Sequence, residues 1–156
     1  MNEPSISALL EDLKNSDENI RQQATAELWR IWFYQKGRYG VELIERSQIM
    51  LEAGNVTQAE ALLTELIKDQ PDFAEAWNRR AVLYYTIGQY DKSRADCEEV
   101  IKLNPVHFGA LHGLGLCHAA LGDYSAAIQA FQKALLIQPY ALANQKLLLE
   151  CTARLS

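Results

Sequence analysis

Apolar residues recur three and four positions apart along most of this chain, the spacing that gathers them on one face of an α-helix. Between residues 40 and 141 these helical patterns are short, and each one ends near a glycine or a proline. Short amphipathic helices joined in this way predict an all-α protein in which neighbouring helices pack as antiparallel hairpins.

The glycines and prolines that separate the helices share one period. Each residue type recurs every 34 residues, at Gly54, Gly88 and Gly122, and at Pro71, Pro105 and Pro139. Each glycine can end the first helix of a pair in a left-handed conformation, and each proline stops the second helix. The period divides the chain into the frames 40–73, 74–107 and 108–141.

Equivalent positions of the three frames, here called columns, hold residues of similar size and polarity. One column holds small residues that let two helices approach closely: Ser47, Ala81 and Gly115. Another holds large apolar residues: Leu43, Trp77 and Leu111. One helix pair cannot bury its apolar face alone, so we expect the frames to stack into a solenoid.

These frames resemble tetratricopeptide repeats (TPRs). The resemblance is carried by "AEAWNRRAVLYYTIGQYDKSRADCEEVIKLNP" and "ALHGLGLCHAALGDYSAAIQAFQKALLIQP", and in a more degenerate form by "GVELIERSQIMLEAGNVTQAEALLTELIKDQP". It implies a right-handed α-solenoid of three TPR helix pairs whose first helices line a concave groove. It also implies a non-catalytic protein–protein interaction module, a scaffold or assembly factor that holds a partner peptide or helix in the groove.

Residues 1–39 lie outside the repeats and predict an N-terminal helical cap of two helices. Pro4 suits the first turn of the first helix, and Ser16 or Asp17 suits the N-cap of the second. The stretch "ELWRIWFYQKG" then leads into the first repeat. This join resembles small TPR proteins of bacteria and plastids, a likeness that implies no particular activity.

Residues 142–156 predict a C-terminal capping helix, because a repeat array needs an end with a polar outer face. Its apolar residues are expected to cover the third repeat: Leu142, Leu147, Leu148, Cys151 and Leu155. Its polar residues are expected to face water: Asn144, Lys146, Glu150 and Arg154.

The resemblance places one face of each first helix in the groove. The candidate partner-binding residues are Asn78, Arg79, Val82, Tyr85, His112, Leu116 and Lys146, with Glu75 on the same face. Arginine can bind a carboxylate, asparagine a peptide backbone, and tyrosine an apolar side chain. The alternative for Arg79 is a solvated charge on an exposed face.

The adjacent Arg80 points elsewhere, because neighbouring residues on a helix point about 100° apart. The resemblance directs Arg80 towards the second helix of its own pair, where Asp96 stands. The third frame has Leu114 and Ala130 in these two places and so lacks both members, whereas the first frame has Arg46 opposite Leu62 and breaks the rule. We therefore predict a structural ion pair between Arg80 and Asp96 within the second repeat.

One well-known TPR subclass grips the terminal carboxylate of chaperone tails with a clamp of Lys, Asn and Arg. This chain has Ile44 and Gln48 where the first repeat would supply Lys and Asn. Gly109 and Gly113 replace the basic residues of the third repeat. Binding of chaperone tails is therefore not expected.

The composition argues against several other functions. The net charge of −5, with no basic run longer than two residues, argues against a nucleic-acid surface. No apolar stretch reaches the length of a membrane span, and the first residues lack the apolar core of a secretory signal. Three cysteines without CxxC spacing fit a reducing compartment. We expect the cytoplasm, or the plastid stroma in a photosynthetic eukaryote.

No catalytic set, cofactor motif or metal motif is recognisable in the sequence. The stretch "HFGALHGLGLCH" concentrates His107, His112, Cys117 and His118, but their spacing does not suit a metal on one helix face. We therefore expect neither an enzyme nor a bound metal or cofactor.

Two alternative functions stay open at this point. In the first, the chain is a structural protein that forms homo-oligomers through Trp29, Trp32 or its C-terminal helix, although aromatic residues at this spacing more often pack in a core. In the second, a metal-dependent or small-molecule activity is built on His112 and Cys117.

Overall fold

A computed structural model describes residues 5–155, so Pro4 and its predicted first-turn position lie outside the described residues. Within this range the chain forms nine α-helices: α1 (Ile6–Asp12), α2 (Glu18–Phe33), α3 (Gly37–Glu52), α4 (Val56–Asp69), α5 (Ala74–Thr86), α6 (Tyr90–Leu103), α7 (Phe108–Ala120), α8 (Tyr124–Ile137) and α9 (Leu142–Leu155). A short 3-10 helix, Tyr34–Lys36, joins α2 to α3. The predicted all-α solenoid is confirmed.

Three helix pairs, α3–α4, α5–α6 and α7–α8, form the repeating part. The turn within each pair contains a glycine with positive φ: 84° at Gly54, 79° at Gly88 and 82° at Gly122. A residue with a Cβ would be strained there, which explains why glycine recurs with the repeat period. Helix α3 begins at Gly37, three residues before the frame that the sequence suggested.

The small-residue column lets the two helices of each pair lie close together. At Gly115 on α7, a Cβ atom would lie 2.5 Å from Cε1 of Phe131, whose ring is fully buried on α8. In the second pair, the corresponding Ala81 accepts a 2.7 Å hydrogen bond from the Ser93 hydroxyl through its carbonyl oxygen. The third pair therefore tolerates no side chain at its contact point.

Replacing Gly115 with alanine should lower the free energy of unfolding by about 1–3 kcal/mol, because Phe131 must leave its position in a packed core. Gly113→Ala is the matched control: it lies on the same helix and gains the same helix propensity, but its Cβ would meet only Cys97 Sγ at 3.3 Å. Urea unfolding of both variants measures the difference. Equal stabilities would show that α7 and α8 can separate at no cost.

Residues 6–36, here called the strap, lie along the loops that connect successive repeats. Arg21 stacks on the Tyr140 ring in the loop after the third repeat, with 4.1 Å from Cζ to the ring centroid. Trp32 stacks on His107 in the loop after the second, and Lys36 pairs with Asp72 in the loop after the first, at 2.8 Å. The strap thus contacts the loop that follows each of the three repeats.

This placement corrects the picture of residues 1–39 as a cap on the end of the solenoid. An end cap would cover the first repeat alone, whereas the strap crosses the array from its third repeat to its first. The reason is the apolar face of α2, where Leu28 and Trp32 pack with Leu9, Leu13 and Phe108 in one buried cluster. Asp17 is the N-cap of α2, and its carboxylate accepts a hydrogen bond from the Asn19 N–H.

The C-terminal helix α9 packs on α8 through a face that differs in part from the predicted one. Leu147, Leu148 and Cys151 pack on the third pair as expected. Leu142 and Leu155 do not, since they are 77% and 57% exposed. Asn144, predicted to face water, is buried because the inward face of α9 is centred on residues 144, 148 and 151, opposite to Leu142.

Candidate functional site

A pocket of about 190 Å³ opens between the first helices of the second and third repeats, α5 and α7. We call it the groove pocket. It brings together five of the seven residues that the sequence analysis proposed for partner binding: Asn78, Val82, Tyr85, His112 and Leu116. Val82 is the most exposed of them, while Asn78 lies almost completely below the surface.

Gly109 and Gly113 of α7 also line the groove pocket. Cys97 forms part of the lining, and its thiol touches the buried Cys117. That contact lowers the pKa of Cys117 to about 7 and, together with burial, raises the pKa of Cys97. Cys97 therefore stays protonated and lines the pocket as a small apolar group.

His112 is held in place from the capping helix. Its Nδ1 lies 2.6 Å from Oδ1 of Asn144, which is buried on α9. Because the amide oxygen only accepts, Nδ1 carries the hydrogen and Nε2 keeps its lone pair. The capping helix thus sets both the orientation and the tautomer of a groove residue.

Arg79 lies apart from the groove pocket, in a second cavity of about 310 Å³ that we call the strap pocket. This pocket is lined by the strap, α3 and α5, at Arg30, Phe33, Tyr34, Val41, Ile44, Glu45, Gln48 and Arg79. The guanidinium of Arg79 lies over the Phe33 ring, 4.8 Å from its centroid, and its Nε is 3.6 Å from Glu75. It is therefore a half-enclosed cation and not a freely solvated one.

Lys146 is exposed on α9 and lines neither the groove pocket nor the strap pocket. The structure thus places the seven candidates in three groups: five in the groove pocket, Arg79 in the strap pocket, and Lys146 on the capping helix.

Sequence reasoning missed a buried network that joins the strap to the groove. Glu75, expected in the groove, is fully buried, and its carboxylate lies 2.7 Å from Nε2 of the equally buried His107. The other ring nitrogen of His107 accepts the backbone N–H of Ala110, so Nε2 carries the hydrogen that Glu75 accepts. Glu75 also receives long contacts from Asn78, at 3.4 and 3.5 Å.

Trp32 completes this network, because its indole stacks on the His107 ring with centroids 4.6 Å apart and planes inclined by 20°. Trp29 lies over Gly109, where a Cβ atom would come within 2.6 Å of the indole. A basic side chain at position 109, which a carboxylate clamp would need, is therefore excluded by the strap. Both tryptophans serve the fold, as the sequence analysis expected.

Arg80 and Asp96 meet in a bidentate pair, in which Nε and Nη2 each donate a 2.8 Å hydrogen bond to one carboxylate oxygen. Nη1 of Arg80 donates to Thr64 on α4, so the arginine ties two repeats together. Burial raises the pKa of Asp96, although the hydrogen bonds from Arg80 act in the opposite direction.

Within residues 5–155, no helix is long and apolar enough to cross a membrane. In the same part of the chain, no three His, Cys, Asp or Glu side chains stand close enough together to hold a metal ion.

Stacked helix pairs are the architecture of an α-solenoid. Comparison with protein families shows which class of α-solenoid this chain forms. The model of the tetratricopeptide repeat matches residues 45–105 and 83–143. The chain belongs to the tetratricopeptide repeat family, whose fold is a protein-interaction module.

Individual relatives agree with this assignment. A TPR repeat-containing protein of Rhizobium etli is 30% identical over 135 residues, which cover 86% of this chain and 66% of that protein. The chain spans less than a tenth of two further relatives.

Two solved structures are similar in fold. The first TPR of Spaghetti (RPAP3) bound to HSP90 peptide SRMEEVD has a TM-score of 0.71 and 19% identity, over 74% of this chain and 91% of that one. The second TPR of the same protein, with the same peptide, has a TM-score of 0.59 and 25% identity, over 62% and 90%.

Proposed function

We propose that this protein is a non-catalytic binding module that holds an extended segment of a partner protein in its concave groove, with one apolar side chain in the groove pocket. The observation that carries the proposal is the pocket itself, where Val82, Tyr85 and Leu116 present apolar surface beside the polar Asn78 and His112. Apolar anchors flanked by a few polar groups are typical of peptide recognition.

The size of the groove pocket supports a side chain as its occupant. Its volume of about 190 Å³ is below the range of roughly 300–1,000 Å³ that drug-sized ligands and cofactors need. The peptide bound to the second TPR of Spaghetti supports the same use of the fold.

The proposal does not extend to a chaperone tail, because the residues of a carboxylate clamp are missing and Trp29 covers Gly109. A role in the cytoplasm or the plastid stroma, as a scaffold or an assembly factor, is part of the same proposal.

Exchanging Val82 for glutamate should abolish capture of the partner from a lysate of the native cell, because it places a charge at the mouth of an apolar pocket. Val82 is 46% exposed, so the fold should tolerate the exchange. The matched control is Leu136→Glu, the same kind of exchange at a more exposed position on α8. Mass spectrometry of the proteins bound by wild type and by both variants measures the result.

A partner that wild type and Leu136→Glu retain and Val82→Glu loses would support binding in the groove. Retention by all three would place the contact elsewhere and contradict the proposal.

Self-association is a second candidate function, and the exposed leucines of α9 favour it. Leu142, Leu149 and Leu155 are all more than half exposed, whereas Trp32 is buried inside the protein and does not offer a contact. A particle mass of twice the chain in light scattering, with no other protein captured, would support self-association in place of the groove.

A further inference from the structure

We propose that the side chain held by the groove pocket is a tryptophan, whose indole N–H donates a hydrogen bond to acceptors on the pocket wall. This inference rests on the proposed function and names the chemistry of the partner segment. It follows from the hydrogen bonds that His112 and Asn78 make inside the protein. These bonds use the donor groups of both side chains and leave an acceptor atom on each.

His112 supplies the first acceptor. Its Nδ1–H is committed to Oδ1 of Asn144 at 2.6 Å, so the lone pair on Nε2 is available. No hydrogen bond within residues 5–155 uses Nε2, and the ring lines the pocket. Because Asn144 is buried and cannot follow, the His112 ring would lose this hydrogen bond if it turned over.

Asn78 supplies the second acceptor. Its Nδ2 faces both carboxylate oxygens of the buried Glu75, at 3.4 and 3.5 Å. A carboxylate only accepts hydrogen bonds, so the amide nitrogen must point towards Glu75 and Oδ1 must point away from it. Because Asn78 also lines the pocket, we take Oδ1 as the atom of its amide that is free to accept there.

The rest of the wall carries two hydroxyls, on Thr86 and Ser93, which donate to the backbone carbonyls of Val82 and Ala81, and is otherwise apolar and aromatic. Val82 and Leu116 provide aliphatic surface, and Tyr85, packed against Tyr90 with ring centroids 5.2 Å apart, provides an aromatic face. Such a face binds another aromatic ring edge-to-face or offset-stacked. Of the large aromatic side chains, indole alone donates a hydrogen bond and accepts none, tyrosine does both, and phenylalanine does neither.

Titration of the protein with three small probes, followed by NMR of the backbone amides, tests the inference. The probes are N-acetyl-tryptophanamide, its 1-methyl derivative, which lacks the indole N–H, and N-acetyl-phenylalaninamide. We expect the amide signals of Val82, His112 and Leu116 to shift. The tryptophan probe should bind about fivefold more tightly than either of the others, the effect of one neutral hydrogen bond.

The variant His112→Phe keeps an aromatic ring and removes the first acceptor, so the fivefold preference for the tryptophan probe over its 1-methyl derivative should shrink. Arg38→Ala removes a side chain that is 90% exposed on α3 and should leave the fivefold ratio unchanged. The comparison of probes on wild type needs no variant, so it stands even if His112→Phe, which leaves Asn144 without its donor, fails to fold.

Equal affinity of wild type for the three probes, shifts confined to another surface, or no shift at all would overturn the assignment of tryptophan. Each of these results leaves the groove open to another side chain. Capture of the partner by Val82→Glu, in contrast, would contradict binding in the groove itself. Failure of the tryptophan assignment and failure of the proposed function are therefore distinguishable.

Discussion

Replacing Arg80 with alanine should lower the free energy of unfolding by about 3–5 kcal/mol, because it leaves the carboxylate of Asp96 buried without its cation. Asp96 is 4% exposed and receives two hydrogen bonds from Arg80. The arginine also bonds to Thr64 and lies over the Trp77 ring, 5.2 Å from its centroid, so its loss loosens two repeats together.

Urea unfolding at pH 7 measures this cost, and its pH dependence identifies the cause. Burial raises the pKa of Asp96 in the folded protein above its ordinary value of 3.8, and removal of Arg80 raises it further. A raised carboxyl pKa means that the folded state binds the proton more readily than the unfolded state. The cost of Arg80→Ala should therefore be complete at a pH above the pKa that Asp96 has in the folded variant. It should shrink as the pH falls through that pKa, because protonation removes the stranded charge.

Two controls accompany the experiment. Arg38→Ala removes an arginine whose side chain is 90% exposed and should change stability by less than about 1 kcal/mol. In Arg80→Ala combined with Asp96→Leu, the stranded charge is gone, so much of the stability should return. A cost below about 1 kcal/mol for Arg80→Ala alone would show that water reaches Asp96 and that the pair does not hold the repeats.

Replacing His107 with asparagine should cost about 3 kcal/mol, because the buried carboxylate of Glu75 loses its 2.7 Å donor and Trp32 loses its stacking partner. Asparagine is chosen because it can still accept the Ala110 N–H at the start of α7, as His107 does. His107→Ala loses this cap as well and should be less stable by about a further 1 kcal/mol.

Urea unfolding of the two variants measures both losses of stability. The double variant His107→Asn/Glu75→Gln tests whether the stranded carboxylate of Glu75 causes the first loss. Glutamine is neutral, so the double variant should regain part of the stability that the stranded carboxylate removed. Equal stability of wild type and His107→Asn would mean that Glu75 finds another donor, and that His107 does not fasten the strap to the groove.

The repeat architecture could be predicted from the sequence because its determinants are local. Gly88 adopts a φ of 79° in the turn that follows α5, a conformation that glycine takes without strain, and Pro105 prevents α6 from continuing into the next repeat. Helix periodicity then directs Val82 and Tyr85 to one face of α5, and they line the groove pocket. The resemblance to tetratricopeptide repeats predicted the pairing of Arg80 with Asp96, and the two side chains meet within one repeat.

The contacts of the strap could not be predicted in this way. The pattern of Leu28 and Trp32 indicates an amphipathic helix, but it does not say which surface the apolar face covers. Trp32 contacts His107, which lies 75 residues further along the chain, and Trp29 lies over Gly109, 80 residues further along. No local preference or repeat column relates residues so far apart, so only packing of the folded chain brings them together.

The sequence by itself thus determined the three helix pairs and their turns, since these follow from backbone preferences and from the 3.6-residue period of the helix. Its resemblance to tetratricopeptide repeats indicated which helix face lines the groove. Tertiary structure alone decided that the strap contacts the loop that follows each repeat, that Glu75 and Asn144 are buried, and that Arg79 lies on Phe33. These features depend on which apolar surfaces are left uncovered once the repeats have stacked. Burial against such a surface is non-directional and carries no signature along the chain.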